Sequence, residues 1–443
     1  MEHIADTICA PATSTGTSAI SVIRVSGDKA LSITDRIITF RNGDSSSSEG
    51  YRIKFGTVRG GIDDVLVSIF RAPHSYTGED GVEISCHASP YIVKRILELL
   101  VEEGARNAGP GEFTQRAFVN GKLDLAQAEA VVDLISSRSE ASHRVAMNQL
   151  RGAYSSELRT LRDKLLELTA LMELELDFSE DDVEFADRSQ LKSLLEEALL
   201  HIGKLVDSFR TGNAIRNGVP VAIVGAVNSG KSTLLNALLG EERAIVSNIA
   251  GTTRDTIEET LMLGGILFRF IDTAGLRATN DEIEKYGIER TLKMIEKAEI
   301  VIELTDASAS GDIESVSVSP DRKLIRVSNK TDLSPALPGT IGISALTGSG
   351  LDELKSRIVE SVRVRFDGSE TLVTNVRHFE ALTRARDSLI SVRNGLGLGV
   401  PTDLVSEDLR SAVNELNCIF GDSGGIDFKA VTDVIFSRFC IGK

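Results

Sequence analysis

The stretch GAVNSGKS, residues 225–232, decides how the centre of this chain folds. It fits the pattern G-x-x-x-x-G-K-[ST] and stands between the strand-like run VPVAIV and the helix-forming run STLLNALLG. A strand, a glycine-rich loop and a helix in this order are the setting in which the pattern binds phosphate. Gly225 and Gly230 allow a tight loop whose N–H groups point at phosphate oxygens. Lys231 is expected to neutralise the β- and γ-phosphates, and Ser232 is expected to ligate Mg²⁺.

The pattern around this stretch alternates between strands and helices from Val219 to about residue 362. Such alternation is typical of a parallel, doubly wound sheet. Within it, the pair Gly264-Gly265 joins two β runs and predicts a hairpin rather than a helical crossover. Outside it, apolar residues recur at three- and four-residue steps, for example across residues 158–172, which predicts amphipathic helices.

We predict a multidomain chain of class α+β and α/β, in which one domain is inserted into another. Residues 1–121 form a mixed α/β domain, because SAISVIRVS and DDVLVSIF read as strands and SPYIVKRILELLVEEG reads as a helix. Residues 122–215 and 376–443 form the two parts of a split helical-bundle domain. The P-loop domain, residues 216–375, is inserted between them, since domain termini usually lie close together. The polar run RNGDSSSSEG, residues 41–50, is expected to be a mobile loop.

Composition narrows the class of protein. The 443 residues are 42% hydrophobic and 26% charged, which is ordinary for a soluble globular protein. The formal net charge of −16 argues against a broad nucleic-acid-binding surface, so any RNA contact is expected to be local or shared with a basic partner. The sequence contains no apolar run of about 18 residues, so no membrane span is expected. No secretory signal is recognised either. The four cysteines lack metal-ligand or disulfide spacing and fit a cytoplasmic protein.

Two short motifs predict that the nucleotide base is guanine. NKTD, residues 329–332, follows the strand KLIRVS, and Asp332 can accept hydrogen bonds from the guanine ring N–H and exocyclic amine. Adenine lacks these donors, so the carboxylate would be left unpaired. Asn329 is expected to brace the loop and the base, and SALTG, residues 344–348, can offer backbone N–H groups to the guanine oxygen. The base-contacting residues are expected to be Asn329, Lys330, Asp332, Ser344, Ala345 and Leu346.

Two further segments are expected near the γ-phosphate, IAGTTRD at residues 249–255 and DTAGLR at 272–277. Thr253 is placed to complete the Mg²⁺ shell, and Asp272 to hold the ion through water. Leu276 stands where many small G proteins have a Gln that orients the attacking water, which an apolar side chain cannot do. The residues expected to contact the nucleotide around its phosphates are Asn228, Ser229, Gly230, Lys231, Ser232, Thr233, Ser247, Asn248, Ile249, Ala250, Gly251, Thr252, Thr253, Asp272, Thr273, Ala274 and Gly275.

These motifs, in this order, resemble those of the translation-factor-related GTPases of the Era/Der type. Three other segments narrow the resemblance: SYTGED at residues 75–80, GPGEFTQRAFVNGKLDLAQAEAV at 109–131, and FCIGK at 439–443. They resemble the MnmE/TrmE family of tRNA-modification GTPases, and the resemblance covers essentially the whole chain. It implies an N-terminal tetrahydrofolate-binding domain, a split helical domain and an inserted G domain.

The resemblance also implies an activity and its partners. Members of the family hydrolyse GTP to GDP and phosphate with Mg²⁺ and K⁺. With the FAD-dependent protein MnmG, in a heterotetramer, they add an aminomethyl or carboxymethylaminomethyl group to the wobble uridine of tRNA. A one-carbon folate, 5-formyl- or 5,10-methylene-tetrahydrofolate, supplies the carbon. Family members form homodimers through the N-terminal domain, and their G domains pair in a potassium-dependent way.

Several site residues follow from the resemblance, position by position. In the folate site, Arg24 matches the Arg of the first strand, and the terminal CIGK tail supplies its lysine. At residues 88–89 this chain has Ala-Ser where the family usually has two glycines, so a close backbone approach at that turn is in doubt. The expected folate-binding residues are Arg24, Glu79, Lys122 and Lys443.

The resemblance implies that residues other than the one at position 276 orient the attacking water, and that a bound cation compensates the phosphate charge. In the acid-rich segment after Leu276, the family Glu that orients the water matches Glu284, with Glu282 as its competitor. The K⁺ is expected at Asn228. Arg254 could supply positive charge or form a fixed salt bridge, and both readings stay open. The residues expected at the metals are Ser232 and Thr253 for Mg²⁺, and Asn228, Ser247, Ile249 and Thr252 for K⁺.

Two other functions compete with a tRNA-modifying GTPase. An Era/Der-like regulatory GTPase in ribosome assembly would share the G domain, but it is not expected to carry SYTGED or the CIGK tail. A folate-dependent one-carbon transferase could carry the G domain only as an accessory. The role of Cys440, as a reactive thiol or a small apolar residue, is left open.

Overall fold

The computed structural model describes most of the chain in a set of ranges. These are residues 6–14, 16, 18–177, 188–226, 228–240, 259–271, 294–309, 318–320, 322–363, 371–422, 432, 434–437, 439 and 442. Two compact units are distinguished. The first comprises Met1–Val132, Gln149–Arg159 and Asn414–Lys443, and the second comprises Asp133–Asn148 and Thr160–Val413. The finer division into four segments stays a prediction.

Thirteen strands and eleven helices are defined within these ranges. The strands are β1 (Ile8–Pro11), β2 (Ile20–Ser26), β3 (Ile38–Phe40), β4 (Arg52–Val58), β5 (Asp64–Phe70), β6 (Gly81–His87), β7 (Arg106–Asn107), β8 (Val219–Val224), β9 (Glu259–Leu263), β10 (Ile266–Phe270), β11 (Ile300–Asp306), β12 (Lys323–Asn329) and β13 (Ile341–Gly342). The helices are α1 (Ala30–Ile37), α2 (Pro90–Glu102), α3 (Glu112–Val119), α4 (Leu125–Ser136), α5 (Glu140–Leu150), α6 (Ala153–Asp177), α7 (Arg188–Asn217), α8 (Lys231–Gly240), α9 (Leu351–Arg363), α10 (Val376–Leu398) and α11 (Thr402–Phe420).

The first unit is built on a seven-stranded sheet of order β3-β4-β5-β6-β2-β1-β7. One face packs against α1 and α2, because alternate strand residues such as Ile23 and Val25 join the apolar core there. Arg24 lies between these two residues and therefore points to the opposite face. The two runs predicted as strands are β2 and β5, and the predicted helix is α2, which has Ser89 as its N-cap and begins at Pro90.

The second unit contains a six-stranded sheet of order β13-β12-β11-β8-β10-β9. All its neighbouring strands pair in parallel except β9 and β10, so the hairpin predicted at Gly264-Gly265 is confirmed. The central strands β8 and β11 are buried almost throughout, as expected for parallel strands covered on both faces. The predicted P-loop domain with its mostly parallel sheet is thus present.

The helical segments bury the apolar stripes predicted from their spacing. Leu158, Leu165 and Met172 of α6 are fully or almost fully buried. Helices α7 and α10 pack together in the second unit, where the rings of Phe209 and Phe379 stack with centroids 4.3 Å apart. None of the helices in the described ranges combines the length and the apolar character needed to cross a membrane.

Candidate functional site

The phosphate loop joins β8 to α8, and its shape depends on two glycines. A Cβ added at Gly225 would lie 2.2 Å from the carbonyl oxygen of Leu304 in β11. A Cβ added at Gly230 would lie 2.2 Å from Nδ2 of Asn329. Both residues also have positive φ angles, 154° and 94°, which side chains disfavour. The loop is therefore pressed against the ends of β11 and β12, and only glycine fits at these two positions.

Polar side chains of the loop have distinct environments. Lys231 Nζ donates hydrogen bonds to the carbonyl oxygens of Gly225 and Ala226, at 2.9 and 2.7 Å, and burial lowers the pKa of this ammonium. Asn228 is exposed and adopts a left-handed conformation with φ of 63°. The hydroxyl of Ser229 is buried and has no hydrogen-bond partner among the described atoms. Such an orphaned donor beside the loop suits an oxygen-rich ligand.

Helix α8 begins at Lys231 and presents the next two side chains to solvent. Ser232 and Thr233 are exposed in its first turn. A helix N-terminus after a glycine-rich loop concentrates unpaired N–H groups and positive dipole charge, which favours phosphate. The exposed side chain of Ser232 would hold a metal ion beside a bound phosphate.

The side chain of Asn329 connects three loops. It is 3% exposed. Its Nδ2 donates to the carbonyl oxygen of Ser229 in the phosphate loop at 2.8 Å, and its Oδ1 accepts from the N–H of Ala345 at 3.0 Å. The phosphate loop, the NKTD turn and the SALTG turn are thus held in one arrangement at the carboxyl edge of the sheet, where ligands of such sheets bind.

Other residues of the two base-binding motifs differ in exposure. Asp332 is exposed, and the side chain of Leu346 is 81% exposed. Ser344 and Ala345 are buried, since the SALTG turn folds back through a hydrogen bond from Gly348 N to Ser344 O of 2.9 Å. A carboxylate can accept hydrogen bonds from ring N–H and amine donors of a base, and an apolar side chain can pack against the face of its ring.

Several predicted site residues lie outside the described residues, and their roles stay predictions. Among them are the water-orienting candidates and the terminal lysine. They are Ser247, Asn248, Ile249, Ala250, Gly251, Thr252, Thr253, Arg254, Asp272, Thr273, Ala274, Gly275, Leu276, Glu282, Glu284, Cys440 and Lys443.

In the first unit, the side chain of Arg24 is held between charged and aromatic groups. It forms an ion pair with Glu83 at 2.8 Å and a longer hydrogen bond of 3.4 Å to the carbonyl oxygen of Gly442. Its guanidinium carbon lies 5.1 Å from the ring centroid of Tyr76 and 5.6 Å from that of Phe113. The C-terminal tail thus reaches the strand that carries Arg24, and the arrangement combines a cation with two aromatic rings.

The carboxylate of Glu79 points into the protein interior. It accepts hydrogen bonds from the Ser26 hydroxyl at 2.7 Å and from Arg116 at 3.2 and 3.3 Å. Arg116 is 1% exposed and also pairs with Asp6 and Glu112. Sequence reasoning missed Arg116, although its position four residues after Glu112 on one helix was a usable signal. In this structure, Glu79 is part of a buried ion-pair network.

The loop before β6 is the common neighbour of the three predicted folate residues that the structure describes. Lys122 Nζ donates to the carbonyl oxygen of Pro73 at 2.9 Å, Tyr76 of the same loop contacts Arg24, and Glu79 belongs to it. The structure therefore brings Arg24, Glu79 and Lys122 to one loop. A separate cavity of about 690 Å³ is lined by Ser21, Ala88 and both apolar and charged residues of α2. Arg24, Glu79 and Lys122 do not line this cavity.

Comparisons with known proteins match the whole chain. The family model described as the MnmE helical domain matches residues 125–440, and the one described as the GTP-binding protein TrmE N-terminus matches residues 7–122. The tRNA modification GTPase MnmE of Bacteroides thetaiotaomicron is 50% identical over 466 residues, covering 99% of both chains. The protein of the same name from Cytophaga hutchinsonii is 47% identical over 455 residues, covering 99% of this chain and 98% of that one.

One similar solved structure covers a third of the chain. The G domain of the T. maritima FeoB iron transporter is 26% identical and covers 32% of this chain and 98% of its own, with a TM-score of 0.22. A likeness of that size adds nothing to the fold described above.

Proposed function

Since the chain belongs to the MnmE family of tRNA modification GTPases, we propose that it couples hydrolysis of GTP to GDP and phosphate with modification of the wobble uridine of tRNA. The observation that carries the GTP site is the hydrogen bonding of Asn329 to both the phosphate loop and the SALTG turn. These contacts set the phosphate-binding and base-binding loops at one edge of the sheet. Asp332 would then select guanine.

The donors around the loop fit two cations. The exposed hydroxyl of Ser232 would hold Mg²⁺ together with Thr253. Asn228, exposed in its left-handed conformation, would offer its amide oxygen to K⁺, together with Ser247, Ile249 and Thr252. Such cations neutralise charge that develops between the β- and γ-phosphates. The ammonium of Lys231, now bonded to carbonyls of its own loop, would hold the β- and γ-phosphates.

The attacking water needs a polar group other than Leu276. We assign this role to Glu284, because a carboxylate can accept the hydrogen bond that orients the water. The acid-rich segment after Leu276 offers it at a short distance along the chain.

A one-carbon tetrahydrofolate is proposed for the first unit. Arg24 and Lys122, with Lys443, are cations that suit the carboxylates of a folate tail, and the partly exposed ring of Tyr76 lies beside Arg24. Glu79 would act through its position in this loop, since Arg116 and Ser26 already engage its carboxylate.

The partners proposed are a second copy of this chain, the FAD-dependent protein MnmG in a heterotetramer, and tRNA in the cytoplasm. The formal charge of −16 supports a shared tRNA surface, because an acidic protein repels the phosphate backbone unless a basic partner contributes.

Mass analysis of wobble uridines tests the proposal. In tRNA from cells that lack this protein, aminomethyl and carboxymethylaminomethyl uridines should disappear. The unaltered chain should restore them, and Lys231→Ala should not, because its phosphate site is disabled. An unchanged modification pattern accompanied by a loss of assembled ribosomes would support the ribosome-assembly GTPase instead.

A further inference from the structure

The last residue of β11, Asp306, lies beside the base-binding turn. In the sheet register Asp306 is paired with Asn329, the last residue of β12, and the N–H of Ala307 donates to the carbonyl oxygen of Asn329 at 2.9 Å. The residue after Asn329 is Lys330, which begins the turn. None of the functional assignments above includes Asp306, although it stands where the G domain would read the base.

Asp306 and Lys330 form a close ion pair. Oδ2 of Asp306 and Nζ of Lys330 are 2.5 Å apart, and the two side chains are only 19% and 33% exposed. The other oxygen of Asp306 accepts from both the N–H and the hydroxyl of Ser308, at 2.9 and 2.6 Å. These hydrogen bonds, from Lys330 first and then from Ser308, lower the pKa of Asp306 to about 2. The carboxylate is therefore charged and fixed in orientation.

The backbone conformation of Lys330 determines the shape of the turn. Its φ is 66°, a left-handed conformation that a residue with a side chain disfavours and that persists only where neighbours impose it. Its carbonyl oxygen accepts from Leu333 N at 2.9 Å and from Ser334 N at 3.3 Å. Asp332 lies between these donors and Lys330, so the direction of its carboxylate depends on the conformation of Lys330.

We propose that Asp306 is a positioning residue for guanine recognition. By holding the ammonium of Lys330, it keeps that residue in its left-handed conformation and keeps the turn in the shape that aims Asp332 at the base. The inference rests on the proposed recognition of guanine by Asp332. The proposal adds a residue of β11 to a base-recognition site whose other residues follow β12 and β13.

The test compares affinities of the full-length protein for GDP and IDP, measured by competition against a fluorescent GDP analogue. IDP lacks the exocyclic amine, so the GDP-to-IDP affinity ratio reports how well Asp332 is placed. For Asp306→Asn we expect GDP affinity to fall about tenfold, which is about 1.4 kcal/mol, with a larger loss for GDP than for IDP. Asp306→Glu, which keeps the charge, should recover part of the ratio.

Two controls separate positioning from stability. Asp352→Asn removes a fully exposed carboxylate 3.9 Å from Lys355 in α9, and it should leave the ratio unchanged. Lys330→Met removes the partner of Asp306, so adding Asp306→Asn to it should produce little further change. Melting temperatures of all variants are measured in parallel.

A lower melting temperature of Asp306→Asn with an unchanged ratio would overturn the inference, and so would an equal loss of selectivity in the Lys330→Met background. If the unaltered protein itself fails to prefer GDP over IDP, guanine recognition by Asp332 is lost as well. The two failures are distinguishable, because the loss of guanine recognition shows in the unaltered protein and the failure of the Asp306 inference shows only in the variants.

Discussion

At the scale of single residues, the space left by neighbouring side chains determines which residues fit in the phosphate loop. Gly230 faces the amide of Asn329, and any Cβ there would collide with it. The same amide donates to the carbonyl of Ser229, so one side chain both requires the glycine and fixes the loop. A Gly230→Ala change would disturb phosphate and base loops together.

Glu284 is the residue whose loss should separate binding from chemistry. Glu284→Ala should bind GTP as the unaltered chain does, but hydrolyse it about a hundredfold more slowly, because a general base contributes factors of that order. Single-turnover hydrolysis measures the rate, and Glu282→Ala is the matched control. Normal hydrolysis by Glu284→Ala with an inactive Glu282→Ala would show that the assignment is wrong.

At the scale of elements, short segments are held by partners far along the chain. The serine-rich loop at 41–50, predicted to be mobile, is anchored by Asp35, whose carboxylate accepts from Ser45 N at 2.6 Å and Ser46 N at 3.1 Å. The C-terminal segment behaves likewise: Phe436 and Phe439 pack against Leu125 of α4 and its neighbours. Polar composition alone did not reveal the first contact, because it depends on a helix residue ten positions away.

Truncating Phe436 tests the contribution of the C-terminal segment. The side chain is 2% exposed, so Phe436→Ala should lower the free energy of unfolding by about 3 kcal/mol, as burial and a residual cavity both count. Urea unfolding followed by far-UV circular dichroism measures this. Val434→Ala, at a position 54% exposed, should shift the midpoint far less, and an equal shift in both variants would contradict the packing argument.

At the scale of the whole molecule, the candidate GTP site belongs to one compact unit and the candidate folate site to the other. The chain carries a formal charge of −16, which argues against a large basic surface for nucleic acid on the chain itself. Each unit has its own apolar core.

Replacing K⁺ by Na⁺ at constant ionic strength tests the cation. Turnover of GTP by the full-length protein should fall at least about tenfold, because the charge on the phosphates would lose a well-fitted counter-ion. Asn228→Ala should be slow in both salts, with little difference between them. Equal rates of the unaltered protein in K⁺ and Na⁺ would exclude the potassium site.

The local architecture could be read from the sequence alone. The P-loop, the hairpin at Gly264-Gly265 and the position of each motif directly after a strand depend on residues within a few positions of one another. Conformational preference and hydrophobic period act over that range. The family, too, could be recognised, because its distinctive segments are contiguous.

Only the tertiary structure decided which charges meet. The sequence predicts Glu79 as a folate-binding residue, and this stays a prediction; it gives no hint that the carboxylate of Glu79 accepts a hydrogen bond from Arg116, 37 positions along the chain. Arg24 meets the carbonyl of Gly442, which is 418 positions away, and Asp306 meets Lys330 across two strands. Such contacts form when packing brings distant segments together. A buried charge without a partner is energetically unfavourable, so buried charged side chains are found paired. Residues adjacent in the sequence do not indicate which distant residue a charged side chain will contact, so these contacts follow only from the tertiary structure.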